Sequence, residues 1–237
     1  MSNNDRSIAK PSSASAVDAF LRRLDSVAPV SGAGRGRLVF ALDATASREA
    51  TWQDATRIQE RMFTETAALG GLDLQLVYYR GLAECRASRW LSDADSLSRA
   101  MRKVTCEAGE TQSGRVLGHV IAQTRAGRVS ALVFVGDSME EDIAPLLEKA
   151  GELRILGVPV FLFHEGGDGR AGDAFARIAT MTGGACCHFD QSSPDQLRAL
   201  LTAVAVFAAG GRKALSDYAA RGGDMVRQLT RQITDGR

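Results

Sequence analysis

Between residues 37 and 189, short apolar runs alternate with longer segments whose apolar positions recur at helical spacing, and few architectures accommodate that rhythm. The first run, Arg37-Leu38-Val39-Phe40-Ala41-Leu42, is apolar at five consecutive positions, which suits a strand covered on both faces. Further strand-like runs occupy 72–79, 129–135, 158–163 and 185–189, with a short one around 84–87. Helix-period segments fill 48–69, 94–104, 113–126, 143–156 and 171–181. Pro194, well placed at a first helical position, opens a helix to about 207, and a last helical segment spans 213–233 with an interruption at Gly222-Gly223. This alternation predicts an α/β domain: a Rossmann-like, open, mostly parallel sheet with helices on both faces. In such a sheet a ligand site lies beyond the carboxyl ends of the strands.

The remainder of the chain frames that domain. Residues 1–30 read as a polar leader with a short helix in which Ala16, Phe20, Leu21 and Leu24 share a face, and 31–36 as a glycine-rich linker. The domain itself is expected over 37–207, and 208–237 as a helical extension with a basic face, packed across its own domain. The glycines of 31–36 precede the first strand, whereas a dinucleotide fingerprint needs them after a strand and opening a helix. With 29 Lys plus Arg against 28 Asp plus Glu, no bulk charge points to nucleic acid. The leader lacks the apolar core of a secretory signal, and the longest apolar run, 199–209, falls short of the roughly 20 residues that span a bilayer, so a cytoplasmic protein is expected. Cys85, Cys106, Cys186 and Cys187 show no Cys-x-x-Cys spacing and read as reduced core thiols.

The strand ends carry the chemistry. After the first strand comes Asp43-Ala44-Thr45-Ala46-Ser47, a carboxylate and two hydroxyls at alternate positions, so three oxygen side chains can converge on one point. Thr111 supplies a hydroxyl just before the helix at 113, and the strand 129–135 runs into Gly136-Asp137-Ser138, a second carboxylate at the same sheet edge. Five oxygen-bearing side chains without His or Cys favour a hard divalent cation: Mg²⁺, with Mn²⁺ and Ca²⁺ as substitutes.

Asp43, Thr45 and Ser47, then Thr111, then Asp137 resemble the Asp-x-Ser-x-Ser, Thr and Asp pieces of the metal-ion-dependent adhesion site (MIDAS) of von Willebrand factor type A (vWA) domains, specifically their bacterial intracellular members. The resemblance spans roughly residues 37–207, because the order of strands and helices also follows that family. It implies a short antiparallel edge strand near Cys85 and a binding module in place of an enzyme, with the metal completed by an Asp or Glu carboxylate from a partner protein. It further implies Thr45 and Ser47 as direct ligands, Thr111 as direct in a ligand-bound state, and Asp43 and Asp137 as direct or water-mediated. Family members of this type commonly work beside AAA+ ATPases, which makes an adaptor or scaffold the implied role. Three positions depart from the pattern. Thr45 keeps the hydroxyl of the usual Ser but adds a rotamer-stiffening methyl. Ala46 and Ser138 stand where Gly is frequent.

Two alternatives accompany this reading. Asp43 after a buried strand suits an aspartate-nucleophile phosphotransferase or phosphatase, although Thr45 replaces the acid/base Asp such enzymes place two residues on. A structural interaction domain with a vestigial metal site is the other. Among further residues, Thr105 is a rival for the role of Thr111, His164 reads as a loop histidine at the crevice edge, and His119 lies in the helix 113–126. The Glu140-Glu141-Asp142 run reads as a cap of the helix that follows it, and Tyr79, Arg80 and Arg86 as candidate partner-surface residues.

Overall fold

In the computed structural model the described residues are 35–53, 55, 71–189 and 194–221. Six strands form one sheet: β1 (Gly36–Asp43), β2 (Leu72–Arg80), β3 (Glu84–Ala87), β4 (Ala131–Gly136), β5 (Val160–Glu165) and β6 (Ala185–Phe189), in the order β3-β2-β1-β4-β5-β6. All pairings are parallel except β2–β3, the antiparallel edge, where Tyr79 lies opposite Cys85. A 3-10 turn (Ala46–Arg48) follows β1 and leads into helical residues 49–53. The remaining helices are α1 (Ala94–Met101), α2 (Ser113–Ala126), α3 (Ile143–Ile155), α4 (Gly169–Thr182) and α5 (Pro194–Arg221).

The continuous apolar runs arise because the sheet is covered on both sides. Leu38, Phe40 and Leu42 of β1 enter one core with Leu97 and Met101 of α1 and Leu200, Val204 and Phe207 of α5. Val39 and Ala41 enter the other, with Val116 and Val120 of α2, Leu146 and Leu153 of α3 and Phe175 and Ile178 of α4. β1 lies at the centre, flanked by β2 and β4, so the chain crosses to one side of it and then to the other. This topological switch point is where parallel sheets open a crevice at their carboxyl edge, and β1 and β4 end there in Asp43 and Gly136.

One segment differs from the sequence expectation. The helix expected over 94–104 ends at Met101, because the Arg80 guanidinium holds Thr105 through its carbonyl (2.7 Å) and hydroxyl (2.6 Å) and turns the chain back toward β2. At the C-terminal side α5 is two helical stretches, as expected: the one opened by Pro194 ends at Gly211, whose φ of 67° is a conformation natural to glycine, and the second follows it to Arg221. Ala214 and Leu215, beyond that break, are buried, Leu215 in the same core as β1. The expected leader helix at 16–27, most of the segment 48–69 and the Gly222-Gly223 interruption lie outside the described residues. All four cysteines are free thiols, and burial pushes Cys187 up to about 12 and Cys186 up to about 11. No helix among the described residues is long and apolar enough to cross a membrane.

Candidate metal centre

Asp43 closes β1 in register with Tyr79 of β2, so both side chains stand on the same face of the sheet. Its Oδ1 accepts the Thr45 N–H at 2.7 Å, an Asx-turn that bends the chain sharply out of the strand. That bend sets the alternate hydroxyls side by side: Thr45 Oγ1 lies 3.3 Å from Ser47 Oγ, and Ser47 Oγ donates to Asp137 Oδ2 at 2.8 Å. Asp43, Thr45, Ser47 and Asp137 thus form one connected row of oxygens across the β1–β4 switch point.

The row leaves one unmet demand. Asp43 is 2% exposed and its Oδ2 meets no donor in full hydrogen-bond geometry among the described residues; the Tyr79 phenol beside it in the register, equally without such a partner, is the neutral donor that interacts with this carboxyl. Burial pushes its carboxyl from 3.8 up to about 6, the Thr45 hydrogen bonds work against that rise, and the Asp137 charge adds to it. A buried carboxylate oxygen without a donor is costly, and a cation is the partner such a group calls for. Across the described residues no three His, Cys, Asp or Glu side chains converge on a metal position. The donor set here is two carboxylates with the rest hydroxyls, which fits a hard cation that keeps water or a partner's oxygen in its shell.

Thr111 is brought to the same edge by a different route. Glu110 N–H donates to Gly81 O (3.2 Å), and the Gln112 amide donates to Arg80 O (3.2 Å), pinning the loop before α2 to the end of β2. Its hydroxyl accepts the Glu140 N–H at 3.2 Å and its own N–H donates to Glu140 Oε2 at 2.9 Å. Among the described residues no hydrogen bond joins Thr111 to the other four. Thr105, the rival, is instead engaged by Arg80.

The acidic run after Asp137 corrects the capping expectation. Asp142 caps the helix that follows, accepting the Ala144 N–H at 3.2 Å. Glu141, however, accepts Ser113 N–H (2.5 Å) and Gly114 N–H (2.9 Å), so it caps α2 across the crevice, as Glu140 holds Thr111. Negative charge at a helix N-terminus is favourable whether it comes from the same loop or another.

Three further expectations change. Tyr79 is not a surface residue: it is fully buried, stacked on Phe134 at 6.1 Å, and burial together with the Asp43 charge lifts its phenol well above the usual range. His164 is not a loop residue but part of β5, 6% exposed and edge-on to Phe175. Arg80 is committed to Glu84 (3.0 Å) and Glu107 (2.9 Å), while Arg86 remains exposed beside Glu84.

Sequence reasoning missed Arg48 altogether. Its guanidinium is sealed from solvent in an ion pair with Glu165, at 1% and 3% side-chain exposure, and the Thr51 hydroxyl donates to Glu165 at 2.5 Å. This pair ties the turn carrying Ser47 to the end of β5. The Arg48 charge also draws the Asp43 carboxyl down, the last of the influences set against burial there. No local signal marks either residue, because a single Arg on a helix reads as a solvated position.

No protein-family model matches the chain, and no curated protein matches it. Solved structures do. The chain is similar to a von Willebrand factor type A protein from Catenulispora acidiphila (16% identity, TM-score 0.54), the match covering 73% of this chain and 43% of that one. It therefore spans less than half the length of that protein. The VWA domain of SpRpn10 is similar at 15% identity and TM-score 0.54, covering 70% of this chain and 94% of that one. Proximal thread matrix protein 1 from the mussel byssus, with a zinc-occupied MIDAS motif, is similar at 15% identity and TM-score 0.53, covering 75% and 48%. The switch-point sheet, the antiparallel edge and these likenesses agree: the chain has the fold of a von Willebrand factor type A domain.

Proposed function

We propose that the chain is a metal-dependent protein-binding module. The observation that carries this reading is the orphaned, buried Oδ2 of Asp43 at the head of a hydroxyl row that ends on Asp137. Asp43, Thr45, Ser47 and Asp137 are the residues that would hold the ion, with Thr111 joining through the hydroxyl lone pair that Glu140 leaves free. The expected ion is Mg²⁺, with Mn²⁺ or Ca²⁺ able to stand in; when bound it supplies the positive charge that an Asp or Glu carboxylate of a partner protein seeks. This chain's own part is to hold the oxygens in place: the Asx-turn aims Asp43, and the Arg48–Glu165 pair anchors the turn behind Ser47. A cytoplasmic adaptor serving a partner such as an AAA+ ATPase is the cellular role consistent with the resemblance. For the phosphotransferase alternative, no acidic side chain occupies position 45, which leaves Asp43 without an acid/base partner in its own loop.

The test is an electron paramagnetic resonance titration of the whole chain with Mn²⁺. One bound ion, competed by Mg²⁺ and lost in Asp43→Ala and Ser47→Ala, supports the reading. Unchanged binding in both variants contradicts it.

A further inference from the structure

Beside the oxygen row, on the same edge of the sheet, the structure holds a pair of nitrogens that nothing above employs. His164 of β5 and His188 of β6 are partners in the parallel register. Their rings lie 5.3 Å apart at 62°, and the two Nδ1 atoms face one another at 3.5 Å. Two nitrogens held at about 2.0–2.1 Å from one tetrahedral zinc stand roughly 3.4 Å apart, so the observed spacing is that of two ligands of a single ion. The pair needs no rearrangement of the sheet to reach it.

The surroundings suit this use. His188 is exposed, which gives a path from solvent, while His164 is buried and held in place by Phe175. On α4 the residue facing the Nδ1–Cε1 edge of His164 is Gly172, where a Cβ would stand 3.3 Å from Nδ1; glycine keeps that edge clear. The alternation of the strand turns the Cys187 thiol into the opposite core, while Cys186, two residues before His188 on the same face, is packed against the core beneath it.

We propose that His164 and His188 form a second metal site, selective for a borderline transition cation such as Zn²⁺ and distinct from the oxygen row. Imidazole suits zinc, copper and nickel, whereas hydroxyls and carboxylates suit magnesium, so one sheet edge presents two sites of different preference. With two protein ligands, the other positions are left to water or to a donor from a bound partner. The site does not depend on the metal-dependent binding reading of the oxygen row.

The experiment is a Zn²⁺ titration of the chelator-stripped whole chain by calorimetry, with Co²⁺ absorption as a reporter of ligand type. Asp43→Ala, His188→Ala and His164→Gln are compared in excess Mg²⁺, which occupies the oxygen row. The expected result is one zinc equivalent retained in Asp43→Ala and weakened in both histidine variants. The loss should be at least the roughly 10–100-fold that removal of even an outer partner of a zinc ligand costs. His188 is exposed, so His188→Ala keeps the test valid if His164→Gln fails to fold. Unchanged zinc affinity in His188→Ala, loss of zinc in Asp43→Ala, or a thiolate charge-transfer band in the Co²⁺ spectrum would each overturn the proposal.

Discussion

Asp43 makes a prediction that runs against the usual expectation for a charged residue in a binding site: neutralising it stabilises the metal-free protein. Its carboxyl is raised by burial from 3.8 to about 6, so the folded state holds the proton more tightly than the unfolded chain. The sign follows directly. Between those two values the folded state binds more protons, stability falls as pH rises, and above about pH 6 the whole penalty is present. At about 1.36 kcal/mol per pH unit it amounts to about 3 kcal/mol, which Asp43→Asn relieves. The asparagine carbonyl can keep the Thr45 N–H, but its amide is left without an acceptor, which returns about 1 kcal/mol. A net gain of about 2 kcal/mol corresponds to a rise in Tm of about 4–8 °C for a chain of this size. Thermal unfolding in chelator at pH 7.5 should show that rise, and at pH 4 it should disappear, because the folded wild-type carboxyl is then almost fully protonated and the remaining penalty no longer exceeds the cost of the amide. A variant less stable than wild type at pH 7.5 in chelator, or a difference that ignores pH, would refute the assignment of Asp43 as a buried carboxylate awaiting a cation.

The buried Arg48–Glu165 pair predicts strong non-additivity: Arg48→Met should cost about 3–5 kcal/mol in urea unfolding followed by Trp52 and Trp90 fluorescence, and Arg48→Met/Glu165→Met much less, because the double change leaves no stranded charge. Glu141→Ala removes both acceptors at the start of α2 and should lower stability by about 1–2 kcal/mol, whereas Glu141→Gln, which keeps an acceptor, should lose less; circular dichroism melts at one pH distinguish the two.

The parts of this molecule legible in its sequence are those specified by neighbours along the chain. Strand runs covered on both faces are a local pattern that the structure reproduces, the antiparallel edge near Cys85 is present as the family resemblance implied, and the alternation after β1 sets the Thr45 and Ser47 hydroxyls 3.3 Å apart. What escaped depends on contacts between distant segments. Glu141 was expected to serve its own helix, yet the crevice brings the α2 N-terminus closer to it than sequence distance implies. Tyr79 ends a strand whose last residues look amphipathic, but the α2–α4 face covers it through Phe134. Arg48 became a buried ion only because β5 ends in Glu165 beneath the turn. The apolar run of β5 reads as ending at 163, which leaves His164 in a loop, and the pairing with His188 is a property of register, which no single strand contains.

The central claim is that the oxygen row is a cation site, and the most direct test is thermal unfolding of the whole chain as Mg²⁺ is added back after chelation, with Asp43→Ala alongside. A ligand that binds only the folded state adds about 2.7 kcal/mol at a hundred times its Kd, which is about 5–10 °C here. The account predicts a Tm that climbs with the logarithm of Mg²⁺ in the wild type and stays flat in Asp43→Ala. A flat response in both proteins, or the same rise in both, would contradict it.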